Sequence, residues 1–294
     1  MTKLTMLSFG GGQDSTTILY KLMHDYEFKN KYAPDKLIVV MADTKNEHYE
    51  TDAHVGYIAK LCASFKIPFF FIQPEYYASG DWKEGYIRFL EAGNRIGSKC
   101  FPKTCTDNLK IKPIYKWLDD YIHDVYNTEK VGRKQAIKEF VAKNGKITVL
   151  LGIAKGEERR ASTNEESSSV WMRECIDKRY PLIDLGMDRQ ACQDYIQQTE
   201  YPLPPPSNCI LCPFMSYQEL LYLKRFLPEW FDKWVELERN KIEANKHVEN
   251  NMGVWGTKLL PEALKIAEEK YGHMTDFELQ EYKMSHGHCV MSKY

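Results

Sequence analysis

Ser8-Phe9-Gly10-Gly11-Gly12-Gln13-Asp14-Ser15 combines residue types suited to holding an anion. Three successive glycines let the backbone approach a phosphate with no side chain in the way, and the Ser8 and Ser15 hydroxyls can donate. If a helix starts at the end of this run, its first N–H groups lack intrahelical partners and carry partial positive charge. Asp14 would repel a bare phosphate, so its position argues for a divalent cation or a water between the two. The P-loop pattern is absent, because no Gly-Lys-Ser/Thr follows the glycines. The dinucleotide pattern G-x-G-x-x-G is met at Gly10 and Gly12 but has Ser15 where a third glycine would permit close helix packing. An ordinary glycine turn is the bland alternative.

Cysteine is the second chemical signal. Cys100-x4-Cys105 and Cys209-x2-Cys212 lie in proline-bearing loops, and two close pairs imply one four-thiolate site. Spacing does not choose between zinc and a [4Fe–4S] cluster, since both take four thiolates. The competing reading is two pairs of small buried apolar residues. Cys62 and Cys192 read as core fillers, and Cys175 is unassigned. Cys289, beside His286 and His288, is either a nucleophile or an incidental thiol, and the two histidines could capture a metal ion.

The elements that must position these groups follow from periodicity. Leu4–Phe9, Leu37–Ala42, Pro68–Ile72 and Ile147–Gly152 read as buried strands, and Asp14–Tyr26 and Thr51–Phe65 carry helical spacing. The alternation predicts an α/β fold, a parallel, Rossmann-like sheet flanked by helices. Helices are expected over Ile111–Tyr126 and Lys134–Lys143, inside an insertion at about 74–146 that covers the sheet. The texture turns helical near residue 185, which predicts an α/β domain over 1–185 that carries the glycine loop. A helical C-terminal domain over 186–294 would carry the second cysteine pair, with helices over Gln218–Glu238, broken at Pro228, and Pro261–Tyr271. Asp43-Thr44 ends the second strand, at the edge where open α/β sheets bind ligands, although a turn residue is the commoner use of such an aspartate. After the fourth strand come Gly152 and then Glu157 and Arg160, with Arg160 suited to bidentate phosphate contact. Lys155 and Arg159 read equally well as an exposed helix start.

Composition limits the rest. At 294 residues, 43% hydrophobic and 28% charged, the chain can bury a real core and is neither a stapled miniprotein nor disordered. A formal net charge of -1 gives no global field for nucleic acid or anionic membrane. No apolar run approaches bilayer length, and Met1–Met6 carries no export signal, so a cytoplasmic protein without a membrane partner is expected.

Gly11–Ser15 resembles the S-G-G-x-D-S core of the pyrophosphate-binding loop of the ATP pyrophosphatase (adenine nucleotide alpha hydrolase) superfamily, with Gly10 at the usual first Ser and Gln13 at the common Lys. Asp43-Thr44 resembles the D-T of that superfamily's adenosine pocket. Gly152–Arg160 resembles the G-I-R-x-x-E-S-x-R motif of the phosphoadenosine phosphosulfate (PAPS) reductase branch, matching at Gly152, Glu157 and Arg160 and departing at Ala154 and Glu158. Cys105-Thr106 through Lys110-Ile111 and Pro113-Ile114 resembles the C-T-x-x-x-K-I-x-P-I segment of PAPS reductase-like proteins, many of them encoded by phages and mobile elements. Arg179–Ile183 and Pro204–Phe214 resemble later blocks of the same set, so the likeness runs from Ser8 to about Glu238.

The resemblance implies binding of ATP with Mg²⁺ at Ser8, Gly10, Gly11, Gly12, Gln13, Asp14, Ser15, Asp43, Thr44, Gly152, Glu157 and Arg160. It implies hydrolysis at the α–β bond to adenylate a substrate, with Asp14 and Arg160 catalytic, and sulfur transfer as a further step. It favours a [4Fe–4S] cluster over Zn²⁺ at Cys100, Cys105, Cys209 and Cys212. The acceptor is open, with a nucleobase or nucleic acid among the candidates, and so is a homodimer. Two alternatives stand beside it. One is a sulfonucleotide reductase, whose tail nucleophile E-C-G-x-H is not matched around Cys289. The other is a nucleotide- or nucleic-acid-binding module with structural zinc and no turnover.

Overall fold

Every strand but the last is apolar on both faces, which requires helices on both sides of a parallel sheet. The computed structural model describes residues 2–129, 132–162 and 169–286. β1 (Leu4–Ser8) leads to α1 (Gln13–His24) and α2 (Tyr26–Tyr32), and β2 (Lys36–Ala42) to α3 (Tyr49–Ser64) and β3 (Phe69–Ile72). After α4 (Pro74–Tyr77), α5 (Tyr86–Ala92), α6 (Lys112–Tyr126) and α7 (Gln135–Asn144), the chain re-enters the sheet as β4 (Ile147–Leu151). α8 (Val170–Cys175), β5 (Ile176–Arg179), α9 (Pro181–Asp184) and α10 (Arg189–Gln197) follow. The remaining described helices are α11 (Tyr217–Phe226), α12 (Pro228–Ala244), α13 (Leu260–Tyr271) and α14 (Asp276–Ser285).

The sheet is wholly parallel in the order β3-β2-β1-β4-β5. The α/β expectation holds, and β1 and β4 flank the point where the strand order reverses. Such a switch point leaves a crevice at the carboxyl ends of the strands. Met6, Ile38, Val40 and Val149 pack under α6 and α7, while Leu7, Val39 and Leu150 pack against α1 and α3.

Three features depart from the expected organisation. β5 is a strand that periodicity does not announce, because three of its four residues, Asp177, Lys178 and Arg179, are charged, as an edge strand allows. α6 and α7 belong to the sheet's own helical layer through Ile114, Leu118, Ile137 and Phe140, and Tyr77 of α4 packs against the same core, so the stretch that docks away from the sheet begins after α4. α10 lies beyond the boundary placed near 185, yet it packs on α1 through Cys192 and Ile196. α11–α13 share one core with Ala78, Tyr86, Leu90 and Leu109, so the segment after β3 docks on the C-terminal helices. No helix among the described residues is long and apolar enough to cross a membrane.

α3 also buries His54, whose ring Nε2 lies 3.0 Å from the Thr16 hydroxyl of α1. Desolvation pushes this imidazole down to about 4. An unfolded histidine titrates near 6.5, so between these values the unfolded chain binds a proton that the folded chain refuses, and stability falls as pH falls. From pH 7.5 to 5, His54 should remove about 2 kcal/mol of unfolding free energy. Urea titrations of the wild type and His54→Gln should differ by that much in their pH dependence, and parallel profiles would remove His54 as the cause.

Candidate functional site

β1 ends at Ser8, and the chain turns through Phe9–Gly12 into α1 with Gly12 as N-cap and no side-chain cap. The Ser15 hydroxyl folds this loop on itself, accepting from the Gly10 N–H at 3.1 Å and donating to the Gly12 carbonyl at 3.2 Å. Gly11 has φ +75°, and a Cβ there would sit 2.9 Å from Thr51 Cγ2. At Gly12 a Cβ would meet the Ser207 backbone nitrogen at 2.7 Å. The side of the cradle toward β4 is closed by Gly152, whose absent Cβ lets the strand touch the Asp14–Ser15 backbone.

The loop opens into a cavity of about 660 Å³. Ser8, Gly10, Gly12, Asp14, Ser15 and Gly152 form one wall, and Met6, Ala42 and Val149 of the sheet lie beneath Ile114 and Tyr115 of α6. Four cationic side chains border the same space: Lys110, Arg160, Lys178 and Arg189. Arg160 is buried and ion-paired with Glu157. Arg189, the first residue of α10, reaches Glu157 Oε1 at 3.0 Å and Asp14 Oδ2 at 3.7 Å. Asp14 Oδ1 is buried without a hydrogen-bond partner, and burial raises this carboxyl above the usual range against the opposing pull of Arg189. Asp14 lines the cavity, and an orphaned carboxylate oxygen on such a residue suits a divalent ion brought in with a polyphosphate.

Comparison with protein-family models and with curated proteins gives no match to the chain.

The structure brings Ser8, Gly10, Gly12, Gln13, Asp14, Ser15, Gly152 and Arg160 to one cavity, and leaves four other expected residues off its wall. Asp43 is engaged within its own turn, accepting from the Lys45 N–H at 2.7 Å and pairing with Lys45 Nζ at 2.9 Å. Thr44 donates to Glu47 Oε1 at 3.1 Å, so the second-strand edge reaches the cavity through Ala42 instead. Gly11 serves the turn against Thr51 and Met41, and Glu157 stands behind the wall as partner of both arginines. Gln13 borders the cavity, but its amide is turned away. Its Nε2 donates to the carbonyls of Pro204 at 3.0 Å and Met284 at 3.1 Å, and its Oε1 accepts from Gln193 at 3.0 Å. Lys155 and Arg159 are exposed.

Sequence alone does not single out Arg189 or Lys178, and Lys110 and Ser207 stand there only inside longer motifs. Lys178 had a recoverable signal once β5 is placed: register aligns it with Val149, Met6 and Ile38 on the α6 face of the sheet. Arg189 had none, because its partners lie on β4's exit loop and on α1.

Cys105, Cys209 and Cys212 meet in the core shared by the segment after β3 and the C-terminal helices. Tyr86 is buried in the same core, and burial foremost, with the Cys105, Cys212 and Cys209 thiols in addition, holds its phenol well above its ordinary value. The Cys209 loop is tied to the end of β2, with the Ile210 N–H donating to the Asn46 carbonyl at 2.8 Å and the Leu211 N–H to its side chain at 3.1 Å. Cys209 thereby borders the same cavity. Cys100 is exposed, with its sulfur against Gly256. Among the described residues no group of three or more His, Cys, Asp or Glu is arranged to hold a metal ion. The donors fit a thiophilic centre in kind, while their sulfurs are not drawn into one coordination shell.

Cys62, Cys175 and Cys192 are buried core residues. Cys289 and His288 lie outside the described residues. His286 stacks on Tyr282 with ring centroids 3.9 Å apart, a packing role at the end of α14.

Proposed function

We propose that the chain is a PAPS reductase-like enzyme of the ATP pyrophosphatase superfamily that binds an adenine nucleotide and cleaves ATP at the α–β bond to adenylate an acceptor, with sulfur transfer as the subsequent chemistry. The observation that carries this reading is the glycine cradle at the β1–α1 turn opening into a cavity with four cations. The backbone N–H groups at the start of α1 receive the β- and γ-phosphates, and Arg160 and Arg189 neutralise charge that grows on the departing pyrophosphate. The adenine ring lies on Met6 and Val149 beneath Ile114 and Tyr115. Mg²⁺ held at Asp14 would supply further charge neutralisation across the phosphates. The acceptor oxygen attacks the α-phosphorus, its bond forming as the bond to the bridging oxygen breaks, and pyrophosphate leaves with the electron pair.

The four-cysteine centre, [4Fe–4S] with Zn²⁺ as the alternative, belongs to the same reading, and no step is assigned to it. Support for it is the packing of Cys105, Cys209 and Cys212, from two distant loops, in one core. A second reading, sulfonucleotide reduction, gains from the presence of a thiol, Cys209, at the cavity wall.

ATP with Mg²⁺ should bind the full chain and release pyrophosphate, the adenylyl group passing to an added nucleophile such as hydroxylamine or leaving as AMP where water is the acceptor. Arg160→Gln should lower kcat/KM by roughly a hundredfold. Release of ADP and phosphate would overturn the α–β assignment. Sulfite release from a sulfonucleotide, without pyrophosphate from ATP, would establish the second reading.

A further inference from the structure

The cradle brings no cation of its own. Gln13 is locked to Gln193, Pro204 and Met284, and the side-chain cations that act on Asp14 in the cradle are Arg189 and Arg160. Both guanidiniums already face carboxylates. With Asp14 and Glu157 ionised, these four groups sum to zero, so the quartet itself adds little attraction for a polyphosphate until a guanidinium exchanges a carboxylate for a phosphate oxygen.

The two arginines are not equally able to make that exchange. Arg160 and Glu157 share one short turn, joined also by the bond from the Arg160 N–H to the Glu157 carbonyl at 2.9 Å. Arg189 arrives from another element and spans two carboxylates, holding Glu157 at 3.0 Å and Asp14 at a looser 3.7 Å. Its backbone is fixed: the Asp188 side chain accepts the Ala191 N–H at 2.9 Å, and the Thr17 hydroxyl of α1 donates to the Cys192 carbonyl at 3.3 Å. Movement is therefore confined to the side chain, which already borders the cavity.

We infer that Arg189 is a transferable phosphate ligand, held by Glu157 and Asp14 in the unliganded chain and passed to the β- and γ-phosphates of the bound nucleotide. This rests on the nucleotide reading above and adds a residue that no motif assigns. The transfer also releases Asp14 from its arginine as the phosphates arrive.

The test is calorimetric binding of ATP, AMP and inorganic tripolyphosphate to the full chain, to R189Q, R189K and E157Q, and to the double variant, with thermal midpoints as the folding control. R189Q should weaken ATP and tripolyphosphate by about thirtyfold and AMP by less than about threefold, with R189K recovering part of the loss. E157Q, which removes the competing carboxylate, should tighten ATP several-fold, and that gain should vanish in the double variant. Equal weakening of ATP and AMP by R189Q, or an E157Q gain that survives without Arg189, overturns the inference. A wild-type chain that binds tripolyphosphate but no nucleotide overturns the nucleotide reading alone, because the Arg189 comparison still runs on tripolyphosphate. Binding of none of the three overturns both.

Discussion

Gly152→Ala should weaken nucleotide binding by roughly a hundredfold and cost about 1–3 kcal/mol of stability, the usual range for overpacking a close contact. A Cβ at this position would lie 2.8 Å from the Ser15 nitrogen, 3.1 Å from Ser15 Cα and 3.2 Å from the Asp14 carbonyl carbon. All three atoms are main chain, so no flexible side chain can swing aside. The start of α1 and the end of β4 must separate, and both are anchored in the same core through Leu150, Ile18 and Leu19. The separation displaces the N–H groups that form the cradle, and misplacement of a site by about 1 Å is enough for roughly a hundredfold loss. Calorimetric titration with ATP alongside urea unfolding would check both parts. Gly56→Ala is the matched control: nothing lies within 4 Å of its Cβ in α3, and it should be neutral or slightly stabilising. If Gly152→Ala binds ATP as the wild type does, close approach of β4 is not what shapes the cradle.

The difference between Gly152 and Arg189 marks what a sequence can disclose about this site. Gly10–Ser15 is legible because its meaning is local: glycines, hydroxyls and a helix start within eight residues leave few chemical uses. The sheet is legible for a similar reason, since Leu4–Ser8, Lys36–Ala42 and Ile147–Leu151 are buried on both faces and stand out as apolar runs. β5 is hidden because an edge strand need not be apolar, and with it went Lys178. The orientation of Gln13 depends on Gln193 and Met284, and the position of Arg189 on Glu157 and Asp14, so neither can be deduced from its own neighbourhood in the chain. Asp43 fails in the opposite direction. Its strand-end position matches a ligand site, but a lysine two residues on takes both carboxylate oxygens. The cysteine spacings put two pairs in two loops. That these loops join one core depends on Tyr86, Leu90 and Leu109 packing against Leu211, Leu220 and Trp234, which no periodicity announces.

Glu238→Ala should cost about 3–5 kcal/mol and loosen the loop that carries Cys100. Glu238 is 2% exposed on α12, with Oε1 accepting the Val254 N–H at 2.8 Å and Oε2 accepting the Leu260 N–H at 2.6 Å. Leu260 opens α13, so its N–H has no partner within that helix. Truncation leaves two buried donors unsatisfied, each worth about 1–3 kcal/mol, and adds a cavity. Burial raises the Glu238 carboxyl above its ordinary range despite both bonds, so the site tolerates the charge only because the two N–H groups meet it. The strain passes outward along a short path. The Val254 carbonyl accepts the Lys99 N–H at 2.9 Å, and the Gly253 carbonyl accepts the Ser98 hydroxyl at 2.7 Å, which fixes the backbone on either side of Cys100's sulfur contact with Gly256. Glu238→Gln keeps one acceptor oxygen and should lose about half as much. Urea unfolding gives the global cost, and hydrogen exchange should show the Lys99 amide losing protection in Glu238→Ala before the sheet does. Uniform loss across α13 and β1 would mean that Glu238 supports the whole chain evenly and has no particular hold on the thiol-bearing loop.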